Sequence, residues 1–497
     1  MFWTQLSQLR SCFAGDACAR TGGLLPPISR SLFLIPLIFL AGCGPSANRY
    51  VLIEQSLREG DPARAAAIVE QTETEYGSRN QVLYGMDRGL LLQLAGDYQQ
   101  SNAELEKAEE EVDRLYTRTI RSQAAAYLSN DNTLPYEGEA HEHVMLNVVK
   151  ALNFAMEGEI EGALVEARRI DHRLNLLADM MNDKAGYRSD GFPRYLTGIL
   201  YEAAGDINNA FIAYRNAYDA YEAMRAWSRT PIPPSLRIDL LRTADALHLE
   251  DEFQRYKRIF SDVDWESDPS HEQLAQVVLI SYNGRAPRKE DLYLDLPISL
   301  DALQLVLLNR GMLQSRHRWH RGTDTVLYGL SGQVVRVALP RLVPQKTNVP
   351  FERMTLTDAL GRQVAVRSEL AHNVTAMAEK SLEKRIPAIT AKALARAATK
   401  FALAEGATRG AQQAVGKDVA PLVGLLVSLL TKGFAIASEE ADKRSWQTLP
   451  DEIHVARAWV RPGHFEVKVE PSQPGKKELH FSLAPRQTMF IVQRIIR

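Results

Sequence analysis

Cysteine is nearly absent from this sequence, and its distribution excludes two kinds of stabilisation. The 497 residues contain three cysteines, Cys12, Cys18 and Cys43, so none lies beyond position 43. A chain without a cysteine pair after that point has no structural disulfide there and no thiolate metal site. The folded part therefore depends on packing, hydrogen bonds and ion pairs.

The sequence also has no clear excess of positively or negatively charged residues. The chain has 59 Lys and Arg against 61 Asp and Glu, a formal net charge of -2. This balance argues against a dedicated nucleic-acid-binding protein, so we expect no nucleic-acid partner. Hydrophobic residues make up 45% and charged residues 24% of the chain, as in folded globular proteins. At this length we expect two or three domains.

The longest uninterrupted apolar run near the N-terminus is short. It covers residues 32–42, with Arg30 before it and Cys43 after it. This is the length of the apolar part of a signal peptide and is too short to span a bilayer. The tetrapeptide Leu40-Ala41-Gly42-Cys43 resembles the lipobox of bacterial lipoproteins. The resemblance implies that residues 1–42 are a lipoprotein-type signal peptide and that Cys43 is the first mature residue.

By the same resemblance, Cys43 carries covalent lipid, including a fatty acyl chain such as palmitate, and we expect no other cofactor. Several acyl chains anchor a protein durably, at roughly 0.8 kcal/mol per buried methylene. Gly44 and Pro45 follow the cysteine, and similarity to Gram-negative sorting signals then favours the outer membrane. We expect a periplasm-facing lipoprotein held in the outer membrane through its N-terminal lipid.

Residues 43–267 have helical periodicity with a recurring turn. Apolar segments alternate with Gly-Asp or Gly-Glu pairs near positions 60, 96, 158 and 205, which indicates helical hairpins. The small and aromatic residues at helix-packing positions resemble the tetratricopeptide pattern, and they are Gly96, Tyr98, Gly158, Ala163, Gly198, Tyr201, Gly205, Ala210 and Tyr214. The uneven spacing predicts a degenerate array, whose concave surface we expect to bind a protein partner.

One short segment of this region concentrates potential metal ligands. His141, Glu142 and His143 are consecutive, and such side chains are able to hold zinc, with Glu142 as a base. The two histidines stand two positions apart and so point to different sides of a helix. The alternative interpretation is a solvated, capped helix start.

Residues 268–497 change to a strand pattern. We predict strands within about 276–345 and 452–497, including one over 334–339 that ends at Pro340, and inserted helices over about 368–440. Pro387 is expected to kink or divide the first inserted helix. The predicted fold class is α+β, with a TPR-like helical array followed by a small β-sandwich or sheet domain and its inserted helical block.

The inserted block has a basic face. Its residues recur in steps of about four, and they are Lys380, Lys384, Lys392, Arg396 and Lys400. One interpretation is contact with an anionic surface, such as lipid headgroups, and the other is an ordinary solvated helix face.

Seven motifs extend the resemblance beyond the leader: Tyr136-x-Gly138-Glu139-x-x-Glu142, Ala151-Leu152-Asn153, Ala163-Leu164-Val165-Glu166-Ala167-Arg168-Arg169, Ala286-Pro287-Arg288-Lys289, Ala338-Leu339-Pro340, Arg385-Ile386-Pro387-Ala388-Ile389 and Arg444-Ser445-Trp446-Gln447-Thr448-Leu449-Pro450. Together they are similar to an uncharacterised family of Gram-negative envelope lipoproteins that contain tetratricopeptide repeats. The resemblance implies an envelope location and supplies no catalytic residues.

Catalytic motifs are missing as well: the sequence has no nucleophile elbow, Walker loop, dinucleotide fingerprint or zinc-protease spacing. We therefore expect a non-enzymatic, lipid-anchored adaptor or scaffold that binds protein partners of the cell envelope. Two alternatives stay open. One is a metal-dependent hydrolase of wall or surface polymer that uses His141, Glu142 and His143, and the other is a glycan-binding lipoprotein that uses its C-terminal sheet.

Overall fold

The structure is a computed structural model that describes residues 47–121, 132, 134–180, 190–266, 273–297, 334–393, 440–472 and 478–496. Its helices are α1 (Ala47–Arg58), α2 (Pro62–Gln71), α3 (Glu73–Tyr76), α4 (Gln81–Ala95), α5 (Tyr98–Arg121), α6 (Ala140–Glu157), α7 (Ile160–Met180), α8 (Gly191–Ala203), α9 (Ile207–Ser228), α10 (Pro234–Ala246), α11 (Glu250–Ile259) and α12 (374–393). Its strands are β1 (Ala275–Asn283), β2 (Arg285–Pro297), β3 (Val334–Gln345), β4 (Arg353–Asp358), β5 (Gln363–Arg367), β6 (Glu369–Asn373), β7 (Glu452–Val460), β8 (Gly463–Glu470), β9 (Leu479–Leu483) and β10 (Thr488–Ile495).

The N-terminal region is an array of helical hairpins. Neighbouring helices pack as the pairs α1/α2, α4/α5, α6/α7, α8/α9 and α10/α11, and successive pairs also contact each other. The predicted turn glycines all have φ between 79° and 87°, and they are Gly60, Gly96, Gly158 and Gly205. Glycine adopts this left-handed conformation at no steric cost, so it ends one helix sharply. Asp61 and Asp206 then cap the next helix by accepting a backbone N–H.

The strands form three sheets. Two are four-stranded, in the orders β10-β1-β7-β6 and β5-β4-β8-β9, and the third is the β2-β3 pair. β1 lies inside the first sheet, parallel to β10 and antiparallel to β7. All nine of its residues are buried, because its sequence is an almost continuous apolar run.

β1 contributes to two hydrophobic cores because alternate side chains point to opposite faces. Val278, Ile280 and Tyr282 belong to the core that contains the helical array. Val277 and Leu279 belong to a second core, which also contains residues of β4 and β8. The protein is thus a mixed helical and sheet fold with an N-terminal helical array, and residues 43–497 form one compact unit.

Two sequence predictions about the C-terminal region are wrong, and a third, at Pro387, is wrong in one of its two alternatives. Residues 369–373, placed in the inserted helical block, form β6 and pair with β7. α12 continues through Pro387 without division, so that half of the prediction is wrong, and a kink at Pro387 stays a prediction. β3 continues past Pro340, which lies opposite Asp291 in a two-stranded sheet, where a proline without an N–H is tolerated.

Most of the predicted inserted block, residues 394–439, lies outside the described residues. Within the described ranges, no helix is both long enough and apolar enough to cross a membrane.

Candidate functional site at the junction of helices and strands

Four of the sequence motifs that carry the family resemblance meet in one place. Glu139 and Glu142 lie at the start of α6, Lys289 on β2, Arg385 on α12, and Trp446 in the segment before β7. Except for Arg385, these residues line a cavity of about 10 Å³ between the helical array and the strands. That volume is close to the minimum that holds one water molecule. The junction therefore has room for a water but not for an organic substrate.

Glu139 is the anionic centre of this junction. It is the N-cap of α6 in a capping box with Glu142, and it accepts hydrogen bonds from Lys289 Nζ and Arg385 Nη1. Burial opposes ionisation of its carboxyl group, but Arg385 and Lys289 outweigh it and hold the pKa well below the usual value. Lys289 Nζ also donates to the carbonyl oxygen of Arg444 at 2.9 Å. One carboxylate thus holds together a helix, a hairpin strand and α12.

Glu142 is fully occupied by donors. Its Oε2 accepts from the Tyr136 hydroxyl at 2.6 Å and from the Glu139 N–H at 2.8 Å. Its Oε1 accepts from the Trp446 N–H at 2.7 Å. Burial, followed by the charge of Glu139, raises the pKa of Glu142. Both oxygens are thus engaged by buried donors, which disfavours a role for this carboxylate as a metal ligand or a general base.

The two histidines beside it have different surroundings. His143 Nε2 lies 2.7 Å from the carbonyl oxygen of Glu137. His141 is buried, its Nδ1 has no hydrogen-bond partner among the described residues, and burial lowers its pKa to about 4. The structure does not gather the ligand atoms of His141, Glu142 and His143 at one point, because their helix spacing and the partners of Glu142 separate them. In the described part of the chain, three ligands of these types come together only at Glu466, Glu478 and His480.

Asp87 of α4 forms a second buried polar centre. It accepts from the hydroxyls of Tyr50 at 2.7 Å, Tyr76 at 2.9 Å and Thr448 at 2.8 Å. Burial raises its pKa to about 6, although the three hydrogen bonds act in the opposite direction. Thr448 belongs to the same motif as Trp446, so this motif contacts both α4 and α6.

Arg457 of β7 forms a third centre. Its guanidinium donates to Glu202 of α8 at 2.7 Å and also to Asp239 of α10. Arg242 pairs with Asp239 at 3.0 Å. Burial opposes ionisation of Glu202, but Arg242 and Arg457 lower its pKa to about 2. Sequence reasoning missed this centre, and its signal is a charged residue interrupting the apolar strand Glu452–Val460.

These contacts cover one face of the helical array. The first helices of three hairpins, α4, α6 and α8, contact strands β10 or β6. The Tyr282 hydroxyl of β1 donates a hydrogen bond of 3.1 Å to Oε1 of Gln93 in α4, and this hydrogen bond is buried. The sequence predicts that the concave surface of the repeats binds a protein partner. On the first-helix side, the chain's own strands occupy that surface.

The predicted repeat-packing residues lie inside the hairpins. Ala163, Ala210 and Tyr214 are buried, whereas Tyr98 and Tyr201 are partly buried. A Cβ on residue 198 would lie 2.4 Å from the Tyr214 ring, so only glycine permits the observed approach of α8 and α9. Gly96, Gly158 and Gly205 occupy the turns.

The predicted basic face of α12 is partly engaged. Lys380 pairs with Glu383 at 2.9 Å and lies 5.8 Å from the centre of the Trp227 ring. Lys384 and Lys392 are half-buried, and burial lowers the pKa of Lys384. Arg396 and Lys400 lie outside the described residues, as does Cys43.

Comparisons with known proteins give similarity to solved structures and no match of other kinds. No protein-family profile matches the sequence, and no curated protein matches it. Among solved structures, the chain is similar to the crystal structure of Podosopora anserina putative kinesin light chain nearly identical TPR-like repeats. The alignment has a TM-score of 0.27 and 12% identity, and it covers 42% of this chain and 90% of that one.

Proposed function

We propose that this protein is a non-enzymatic, lipid-anchored scaffold of the Gram-negative envelope, and that it binds a protein partner through the second helices of its hairpins. Cys43 carries the lipid, and the folded part faces the periplasm from the outer membrane. In this proposal the two four-stranded sheets form a small β-sandwich that supports the array. The lipobox-like Leu40-Ala41-Gly42-Cys43 supports the anchor, and the helical hairpins support the binding role.

The observation that carries the binding surface is an exposed apolar residue on each of three second helices. Tyr116 of α5, Val165 of α7 and Ile212 of α9 are 38%, 43% and 37% exposed. The strands cover the first helices of these hairpins, so the second helices are what the array presents outward. Aromatic and aliphatic anchors with a polar surround are typical of protein interfaces.

A charged groove accompanies these apolar residues. It lies between α5 and α7 and has a volume of about 250 Å³, with lining residues Glu106, Glu109, Glu110, Asp113, Arg169, His172 and Arg173. Lys150 beneath it is buried and pairs with Glu109 at 2.9 Å. Charges of both signs at the rim steer association and set specificity more than they add affinity.

The buried ionisable groups support a scaffold more than an enzyme. Glu139, Glu142 and Arg457 each have several partners at the junction. Groups committed in this way fix the strands against the helices, and rigid elements make precise binding surfaces. Such rigidity suits a protein that holds a partner.

In-cell photo-crosslinking tests the binding surface. A photoreactive amino acid at Val165 or Ile212 is expected to give a discrete crosslinked protein. The matched control is Leu360, which is 79% exposed but lies in the turn between β4 and β5. Equal capture at all three positions, or no capture at Val165 and Ile212, would contradict the proposal.

The anchor has its own test. Cys43→Ser is expected to abolish incorporation of labelled palmitate and to release the protein from the membrane fraction. A variant that still incorporates palmitate would rule out Cys43 as the attachment point. The crosslinking result and the labelling result are independent, so each part of the proposal fails separately.

A further inference from the structure

Three potential metal ligands lie together on the outer face of the second four-stranded sheet. Glu466 belongs to β8, His480 belongs to β9, and Glu478 immediately precedes β9. One ligand atom from each lies within 4.8 Å of the others. Glu478 and His480 are exposed, and Glu466 is half-buried. The group is thus accessible from solvent and separate from the junction described above.

The sheet itself brings these side chains together. Glu466 and His480 are directly opposite each other in the β8–β9 register. Such cross-strand pairs have their Cβ atoms about 5 Å apart. Glu478 is two residues before His480, so the two point to the same face. Backbone pairing therefore positions Glu466 and His480, and Glu478 is placed by its position directly before β9.

The donor set matches a borderline divalent cation. Zn²⁺ binds imidazole nitrogen and carboxylate oxygen at about 2.0–2.2 Å, usually with tetrahedral geometry. Tetrahedral ligand atoms at that distance from the metal lie roughly 3.4 Å from one another. Small rotations of these accessible side chains would bring their ligand atoms from the present separations to that distance. Mg²⁺ and Ca²⁺ prefer oxygen ligands only, so the imidazole favours Zn²⁺ over both.

We propose that Glu466, Glu478 and His480 form a Zn²⁺-binding site. Three protein ligands leave the fourth tetrahedral position open, as in zinc sites that bind a water or an external ligand. Glu466 and His480 also line a surface depression of about 380 Å³, together with Thr357 and Ser482. The open position is therefore accessible to an anionic group of a ligand seated in that depression.

Lys468 is the local competitor of the metal. Its Nζ pairs with Glu470 at 2.9 Å, and the charges of Glu478 and Glu466 also act on it. Without a metal this ammonium group offsets the two carboxylates of the site. Removing the Lys468 ammonium group leaves the negative charge of Glu466 and Glu478 uncompensated, and this strengthens their attraction for a divalent cation.

Zinc titration of the detergent-purified, chelator-treated full chain tests the site, with a chromogenic chelator as competitor. We expect one equivalent of Zn²⁺ to bind, with at least tenfold weaker binding in His480→Ala and Glu466→Gln. Lys468→Gln is expected to bind several-fold more tightly. Co²⁺ should give a visible absorption band that His480→Ala loses.

His464→Ala is the matched control. His464 lies on the same strand and face as Glu466, but its Nδ1 contacts the Ser482 hydroxyl at 2.6 Å and it is not part of the group. This variant is expected to keep the wild-type zinc affinity. Failure of the wild type to bind Zn²⁺, or an equal loss in His464→Ala and His480→Ala, would overturn the proposal. The variants change accessible side chains, so circular dichroism is expected to show the wild-type fold.

Discussion

The backbone N–H of Trp446 donates to Oε1 of Glu142 at 2.7 Å, although 304 positions separate the two residues in sequence. Glu142 is also the N3 residue of the α6 capping box. A local device for starting a helix therefore doubles as the point where the C-terminal region attaches to the helical array. In an isolated helical array, Glu142 would need only to cap α6.

Replacing Glu142 tests this double role. Glu142→Gln keeps the shape of the side chain but turns one acceptor into a donor, which then faces the N–H or O–H groups that now donate to it. A buried donor without a partner costs about 1–3 kcal/mol. We expect urea denaturation to show a decrease of that size in the free energy of unfolding.

Glu137→Gln is the control for that measurement, because Glu137 is exposed two residues before Glu139. We expect it to change the free energy of unfolding by about 0.5 kcal/mol or less. Equal effects of Glu137→Gln and Glu142→Gln would show that the Trp446 contact does not contribute to stability.

Close packing inside the α8/α9 hairpin depends on Gly198. Gly198→Ala places a Cβ 2.4 Å from the Tyr214 ring, so the helices or the ring must move. Overpacking of this kind costs about 1–3 kcal/mol. Thermal denaturation is expected to show a lower melting temperature.

Gly205→Asn is the comparison within the same hairpin. Gly205 has φ of 79°, and a Cβ there would meet no atom within 4 Å. Asparagine tolerates the left-handed region, so we expect a smaller loss, about 1 kcal/mol or less. A larger loss for Gly205→Asn than for Gly198→Ala would mean that the turn, and not the helix contact, limits the stability of this hairpin.

His454 is expected to make the stability of the protein depend on pH. Burial by itself lowers the pKa of His454, but contacts with Glu352 and Glu452, both at 3.4 Å, outweigh it and raise the pKa to about 9. The stabilisation is fully present below the unfolded pKa of about 6.5 and is lost as the pH rises through 9. Its size is on the order of 3 kcal/mol.

Urea denaturation between pH 6 and pH 10 measures this effect. Wild-type stability is expected to fall across the window, and His454→Gln is expected to have a flatter profile, because glutamine does not titrate. Parallel profiles for the two proteins would assign the pH dependence to other groups.

Local sequence patterns predicted helical hairpins and several strands, because the signals for these elements depend only on residues that are close together in sequence. A glycine at a helix end needs only its own backbone conformation to act, as at Gly96 and Gly158. β1 and β7 are rich in apolar residues, and short apolar runs of this kind indicate buried strands. β4 and β5 were not predicted, because they are short and their exposed residues weaken the alternation.

The sequence by itself determined the turns of four of the five helical hairpins in the described residues, the existence of a strand-rich C-terminal region, and the lipobox-like stretch at Cys43. Only the tertiary structure decided that the strands cover the first helices, that four of the motifs meet around Glu139 and Glu142, and that Glu466, Glu478 and His480 lie together. The physical reason is that a pattern of apolar residues records that a face is buried but not what covers it. Pairing between residues hundreds of positions apart, such as Glu142 with Trp446 or Glu202 with Arg457, becomes visible only when the chain is folded.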